Sequence, residues 1–151
     1  MNERLPMPPR QKHPLEPQKV EYPLLALDVS HNKIGFAVSY GKLCFARGGY
    51  WRTTLAEDIE VVRSKMALEG TPQLVLGLPL RTDGKPSTQA QKIRSFGHAL
   101  RQAGMAVFYQ DERFTTKSAR ADLRGSGGGD VDAQSAVRIL EMFLESVSRD
   151  E

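Results

Sequence analysis

The sequence predicts a mixed α/β domain built on a five-stranded sheet. An antiparallel three-strand meander is joined by two parallel strands, with helices on both faces. Three observations lead there. Residues 24–51 hold three β-patterned runs whose short polar connections suit antiparallel neighbours. Residues 54–110 alternate helix-period and short apolar segments, as parallel crossover units do. A last amphipathic segment near residues 132–148 supplies a closing helix.

Residues 24–30 (LLALDVS) are an apolar run broken by Asp28, which reads as a buried central strand. His31, Asn32 and Lys33 form a polar turn, residues 34–40 a second strand and residues 43–51 a third. Thr54 and Glu57 match a capping box that satisfies free amide donors at a helix start. Leu55, Ile59, Val62 and Met66 fall on one face of that helix, and Gly70 and Pro72 end it. Residues 73–78 are a short buried strand, followed by a loop whose Asp83 and Gly84 mark a turn. Ser87 can cap a helix to Ala103 with Ala90, Ile93, Gly97 and Leu100 inward and Gly104 at its C-cap. Residues 105–110 are the fifth strand. Thr115 or Thr116 can cap a short helix to about Leu123, and a glycine run at 125–129 precedes the last helix, with Ala136, Leu140, Phe143 and Val147 on one face.

The 151 residues suffice for one domain with a core of its own. Residues 1–23 carry six of the nine prolines and none of the 13 glycines, so they read as a flexible or extended arm. The alternative is an arm that packs on the body. The domain proper spans 24–148, and 149–151 are a tail. A single cysteine, Cys44, excludes a disulfide framework and a cysteine-rich zinc site. His13, His31 and His98 are too scattered for a histidine metal motif. No apolar run approaches a membrane span, and the N-terminus lacks a signal-peptide pattern, so a cytoplasmic protein without a membrane partner is expected. The net charge of +3 permits a nucleic-acid partner without demanding one.

Most acids sit where they are well solvated. Asp28 interrupts a buried run, so its carboxylate needs a cation, a metal or several donors. Glu112 lies just past the carboxyl end of a strand, where open α/β sheets form ligand sites. Asp111 beside it faces the other way if strand geometry persists. Asp132 opens the last helix, where a plain N-cap role is the simpler reading, and Asp130 is a rival for either job. Together, Asp28, Glu112 and Asp132 could converge on one crevice. Oxygen ligands without His or Cys suit Mg²⁺ or Mn²⁺. Two such ions can activate water and stabilise the leaving oxygen of a phosphodiester.

Four segments in order resemble a known family. They are residues 25–39 (LALDVSHNKIGFAVS), 75–84 (VLGLPLRTDG), 111–116 (DERFTT) and 132–136 (DAQSA). The family is the YqgF/RuvX group of bacterial proteins, described as Holliday junction resolvases and as pre-16S rRNA nucleases. The resemblance implies an RNase H-like fold and divalent-metal nuclease chemistry. It carries the catalytic and metal-binding roles to Asp28, Glu112 and Asp132, and a supporting or phosphate-contacting role to Arg113 and Thr115. This sequence departs from the family pattern at Ser30, where glycine is usual, at Asn32-Lys33, at Tyr40, and in the glycine run with Asp130 before the last helix.

A substrate track is sought in residues 79–104, which hold five basic residues against Asp83 alone. Arg81 and Lys85 on the loop, with Lys33, are the candidate phosphate contacts, while Lys92 and Arg101 fit a solvated helix face. Lys117, Arg120 and Arg124 can extend the track. Trp51 and Tyr50 could stack bases, although sheet-edge packing is the simpler role. The expected activity is metal-dependent endonucleolytic cleavage of branched DNA or precursor rRNA. A resolvase making two symmetric cuts would be a homodimer. A non-catalytic nucleic-acid-binding module on the same fold is the competing reading, and the retained acids argue against it. A nucleotide-binding α/β domain is disfavoured because no Gly-rich phosphate loop follows a strand.

Overall fold

Apolar runs too long to leave either face wet should lie at the centre of the sheet, and they do. The computed structural model describes residues 15–17, 19–113 and 131–150. Its elements are β1 (Leu24–Val29), β2 (Lys33–Tyr40), β3 (Leu43–Trp51), α1 (Leu55–Glu69), β4 (Gln73–Leu78), α2 (Thr88–Gln102), β5 (Ala106–Asp111) and α3 (Val131–Asp150). The sheet order is β3-β2-β1-β4-β5. β2 pairs antiparallel with β1 and β3, whereas β4 runs parallel to β1 and β5. The antiparallel meander and the two parallel strands are as predicted, and the structure adds the order, with β1 at the centre. The short helix expected at 115–123 lies outside the described residues.

Strand alternation sorts the core into two layers. Leu25, Leu27, Phe36, Leu74, Leu76 and Val107 face α1 and α2, which contribute Val62, Ile93, Phe96 and Leu100. Leu24, Ala26, Ala37, Val75 and Phe108 face α3, which contributes Ala136, Ile139, Leu140 and Phe143. Each fully buried large side chain contributes about 1.5–3 kcal/mol.

The helix caps largely follow the sequence. The Thr54 side chain accepts from the Glu57 amide at 3.2 Å, and Ser87 accepts from the Ala90 amide at 3.0 Å. At the end of α2 the C-cap is Ala103 rather than Gly104, which follows in the left-handed region at φ 95°. The inner face of α1 follows expectation at Ile59, Val62 and Met66 and departs from it at Leu55. Leu55 is 52% exposed, and the line toward the sheet runs through Asp58 and Val62. The reason is electrostatic. Asp58 is 1% exposed and accepts from Arg52 Nε and from the Thr53 amide, both at 3.0 Å. Arg52 donates onward to the Ser30 carbonyl at 2.9 Å and lies 5.0 Å from the Phe96 ring. A hydrophobic-period reading cannot see a carboxylate turned inward to meet a cation that follows β3.

The proline-rich segment expected to be a flexible arm packs on the body over its described part. Glu16 is buried, and its carboxylate accepts from the Tyr109 amide at 2.6 Å. Gln73 accepts from the Glu21 amide at 2.7 Å and donates to the Lys19 carbonyl at 2.9 Å. Arg101 donates to the Val107 carbonyl at 2.6 Å. Glu16 and Arg101 thus engage backbone groups of β5, an outermost strand whose unpaired edge would otherwise invite another strand.

One close approach sets how α3 lies on the sheet. Gly35 pairs with Asp28 across β1 and β2, and the backbone of Asp132 and Ala133 occupies the space where a Gly35 side chain would be. No helix among the described residues is long and apolar enough to cross a membrane.

Two variants test these contacts. Gly35→Ala should cost about 1–3 kcal/mol in urea unfolding, because backbone rather than a flexible side chain must move. Asp58→Ala removes the carboxylate that holds the Arg52 guanidinium and should cost about 1.5–3 kcal/mol in the same measurement.

Candidate active site

The three acids singled out in the sequence belong to three different elements that meet at one end of the sheet. Asp28 is the fifth residue of β1, near its carboxyl end, and is 7% exposed. Its parity with Leu24 and Ala26 turns it to the α3 side. Glu112 follows β5, and its amide donates to the Leu78 carbonyl at 2.9 Å, which extends the β4–β5 ladder by one step. A Cβ added at Gly77 would stand 2.7 Å from Glu112 Oε2 and 2.5 Å from Ile139 Cδ1. Glu112 therefore folds back over β4 on the α3 side. Asp132, in the first turn of α3, sits over Gly35, the register partner of Asp28.

Lys33, the first residue of β2, joins them. Its ammonium lies 3.6 Å from Asp132 Oδ2 and 5.1 Å from the centre of the Trp51 ring. Ser30 closes the turn that leads to it. The Ser30 hydroxyl donates to the Lys33 carbonyl at 3.0 Å and accepts from the Lys33 amide at 3.1 Å. Ser30 thus shapes the loop beside Asp28.

Asp111 is directed elsewhere. It accepts from the Arg113 amide and from Arg113 Nε, both at 2.8 Å, so each of these residues is engaged by the other. The adjacent aspartate acts as a clamp for Arg113, and the Arg113 guanidinium rises above its ordinary pKa through that hydrogen bond. Arg81 is similarly bound by Asp83, at 3.0 and 2.5 Å, on the β4–α2 loop. Lys85 is exposed on the same loop, its amide donating to Asp83. Of the basic track, Arg101 is taken up by β5 rather than solvated on a helix face. Thr115, Asp130, Lys117, Arg120 and Arg124 lie outside the described residues. Tyr40 is far from the carboxylates, at the opposite end of β2, where its hydroxyl donates to the Glu69 carboxylate at 2.9 Å.

The donor set is oxygen, of the kind that holds a hard divalent cation. Glu112 lying back over a glycine and Asp132 lying over another bring it to one face, and in donor type these residues fit such an ion. Among the described residues, no three acidic, histidine or cysteine side chains are grouped closely enough to form a metal cage as they stand. Cys44 takes no part. It pairs with Ser39 at the far end of β2, and burial, aided by Glu141, pushes its thiol up to about 11.

Sequence reasoning missed three features of this region. Gly35 and Gly77 are glycines inside strands, which signals close approach of another group. The Gly48-Gly49 pair signals a bulge. β2 and β3 change register between Gly35 and Ala37, where Gly48 adopts φ 76°, so β3 carries one extra residue there. Trp51, read as sheet-edge packing, is 69% exposed.

A model of the RuvX family, described as Holliday junction resolvase, matches residues 23–146. The chain belongs to the RuvX family. Its family is one of phosphodiester-hydrolysing nucleases. Among relatives, Ribonuclease YqgF of Deinococcus radiodurans is 54% identical over 121 residues, covering 80% of this chain and 86% of that protein. A Thermus thermophilus relative with the provisional name pre-16S rRNA nuclease is 43% identical over 127 residues, covering 79% and 94%. The fold is similar to that of T. thermophilus RuvC solved in complex with a Holliday junction substrate. That match has a TM-score of 0.57 at 11% identity and covers 85% of this chain and 96% of RuvC. The RNase H-like architecture implied by the sequence motifs is thereby shown.

The thiol offers a check on the packing of β3 against α3. With its pKa raised, Cys44 should be alkylated by iodoacetamide at pH 8 roughly a hundredfold more slowly than a free cysteine thiol, because only the thiolate reacts. Mass spectrometry of the native chain over time reads this directly.

Proposed function

We propose that this chain is a divalent-metal-dependent endonuclease acting on precursor rRNA, with Asp28, Glu112 and Asp132 as its catalytic and metal-binding acids. The observation that carries the reading is convergence. Three carboxylates from β1, the end of β5 and the start of α3 share one face at the carboxyl end of the parallel strands. Such acids in a non-catalytic binding module would only repel phosphate. Mg²⁺ or Mn²⁺ held there, as two ions, would activate water and stabilise the leaving oxygen of the cut strand.

The chain's own residues do the positioning. The Glu112 amide bond to Leu78 and the Gly77 surface set where the Glu112 carboxylate lies. Lys33 offsets part of the acidic charge at Asp132 and presents an ammonium toward an approaching phosphate. Lys85 and Arg81 on the β4–α2 loop would contact the backbone beyond the cut, with Arg81 having to leave Asp83 to do so. Arg113 and Thr115 are assigned supporting or phosphate-contacting roles by family resemblance.

The names of the relatives favour RNA. The description of the family favours a second reading, resolution of branched DNA, which calls for a homodimer.

Cleavage of a precursor 16S RNA, a four-way DNA junction and a linear duplex, each with Mg²⁺ and with Mn²⁺, separates these readings. Precursor RNA should be cut best, and EDTA should abolish cutting. Asp28→Asn should lower the rate by more than about a hundredfold while the chain stays folded by circular dichroism, since loss of an outer-shell partner alone costs roughly 10–100-fold. Undiminished cutting in that variant, or in EDTA, would remove the mechanism.

A further inference from the structure

Trp51 is a large ring left in solvent beside the carboxylates, at the end of an outermost strand. Its position there depends on the bulge. Ala46 pairs with Ala37, whose side chain belongs to the α3 layer. Counting by twos from Ala46, residue 51 would point to the opposite layer. The extra residue around Gly48 reverses that parity, so Trp51 pairs with Lys33 and shares the α3 side with Asp28 and Asp132. Lys33 then lies between ring and acid, 5.1 Å from the ring centre and 3.6 Å from Asp132 Oδ2. The cation–π contact leaves most of the indole open to solvent.

We propose that Trp51 is a stacking platform for one unpaired base of the RNA strand being cut, which makes the enzyme favour unpaired over paired RNA at its cleavage site. The inference rests on the nuclease reading above and names its substrate class more narrowly. A nucleotide whose phosphate meets the Lys33 ammonium carries its base toward the adjoining ring. Bases inside a duplex are already stacked on their neighbours and present only edges, so a lone indole engages a base that is unpaired. Stacking on an aromatic side chain tolerates any base, so this contact supplies selectivity for strand state rather than for sequence.

Trp51 is the sole tryptophan of the chain, so its fluorescence reports on the proposed contact alone. The full chain in EDTA is titrated with a single-stranded RNA of about a dozen nucleotides, with the same RNA as a duplex, and with the matching DNA strand. Single-stranded RNA should quench the emission saturably, and the duplex should bind with little quenching. Trp51→Ala should weaken single-stranded RNA binding about tenfold and leave duplex binding unchanged, whereas Trp51→Phe should retain most of the affinity. A merely structural ring predicts no quenching, or equal losses for both RNAs; either result overturns the proposal, as does quenching by the DNA strand alone. Cleavage of the same oligonucleotides in Mg²⁺ is read separately. Quenching without hydrolysis would fault the nuclease reading and support the stacking contact.

Discussion

The site depends on one steric constraint, the seating of the first turn of α3 against the backbone of β2 at Gly35. Asp132 and Ala133 fill the volume of the missing side chain, so the helix start rests where any Cβ would push it away. Gly35 pairs with Asp28, and the same contact therefore sets the separation of two of the three acids. Farther along, Ile139 of α3 fits against Gly77, beside the Glu112 carboxylate. Two glycines in the buried stretches of β2 and β4 thus form the bed on which α3 lies. Stability and the placement of Asp132 are coupled here, because a shift of the helix relaxes the core layer of Ile139, Leu140 and Phe143 and moves Asp132 together.

A second constraint works from the opposite side of the sheet. The buried Asp58 carboxylate holds Arg52, and Arg52 holds the Ser30 carbonyl, while the Arg52 amide donates to Asn32 at 2.8 Å. The turn that carries Asp28 into Lys33 is therefore braced by α1, an element that contributes no acid to the site. A desolvated ion pair is weak evidence of net stabilisation, but removing one partner is costly. Its value here is positional. It ties a loop beside the acids to a helix packed on the opposite layer.

Much of the fold was legible because its signals are local. Continuous apolar runs marked β1 and β4, short polar turns marked the meander, and Thr54 and Ser87 marked helix starts where the structure shows them. The inner face of α2 was read correctly at Ala90, Ile93, Gly97 and Leu100. The misreadings share a cause. Leu55 was assigned inward because periodicity counts apolar residues, whereas the buried pairing of Asp58 with Arg52 joins residues that no helical repeat relates. The prolines read as a flexible or extended arm, with packing on the body as the alternative, and in its described part the Glu16 carboxylate accepts from the Tyr109 amide and the Lys19 carbonyl accepts from Gln73.

The order of elements and the mixed parallel and antiparallel pairing are written in the sequence, as is the expectation of oxygen rather than nitrogen or sulfur donors that singles out the acids. These follow from hydrophobic period, turn chemistry and donor type, all of which act over a few residues. Tertiary structure alone decided that Asp28, Glu112 and Asp132 share a face, that Asp111 serves Arg113 instead, and that Trp51 stands open beside Lys33. Each of those outcomes turns on contacts between elements far apart in the chain or on a strand parity reversed by a single extra residue. Such features depend on which backbones can approach, and that is settled only when the layers pack.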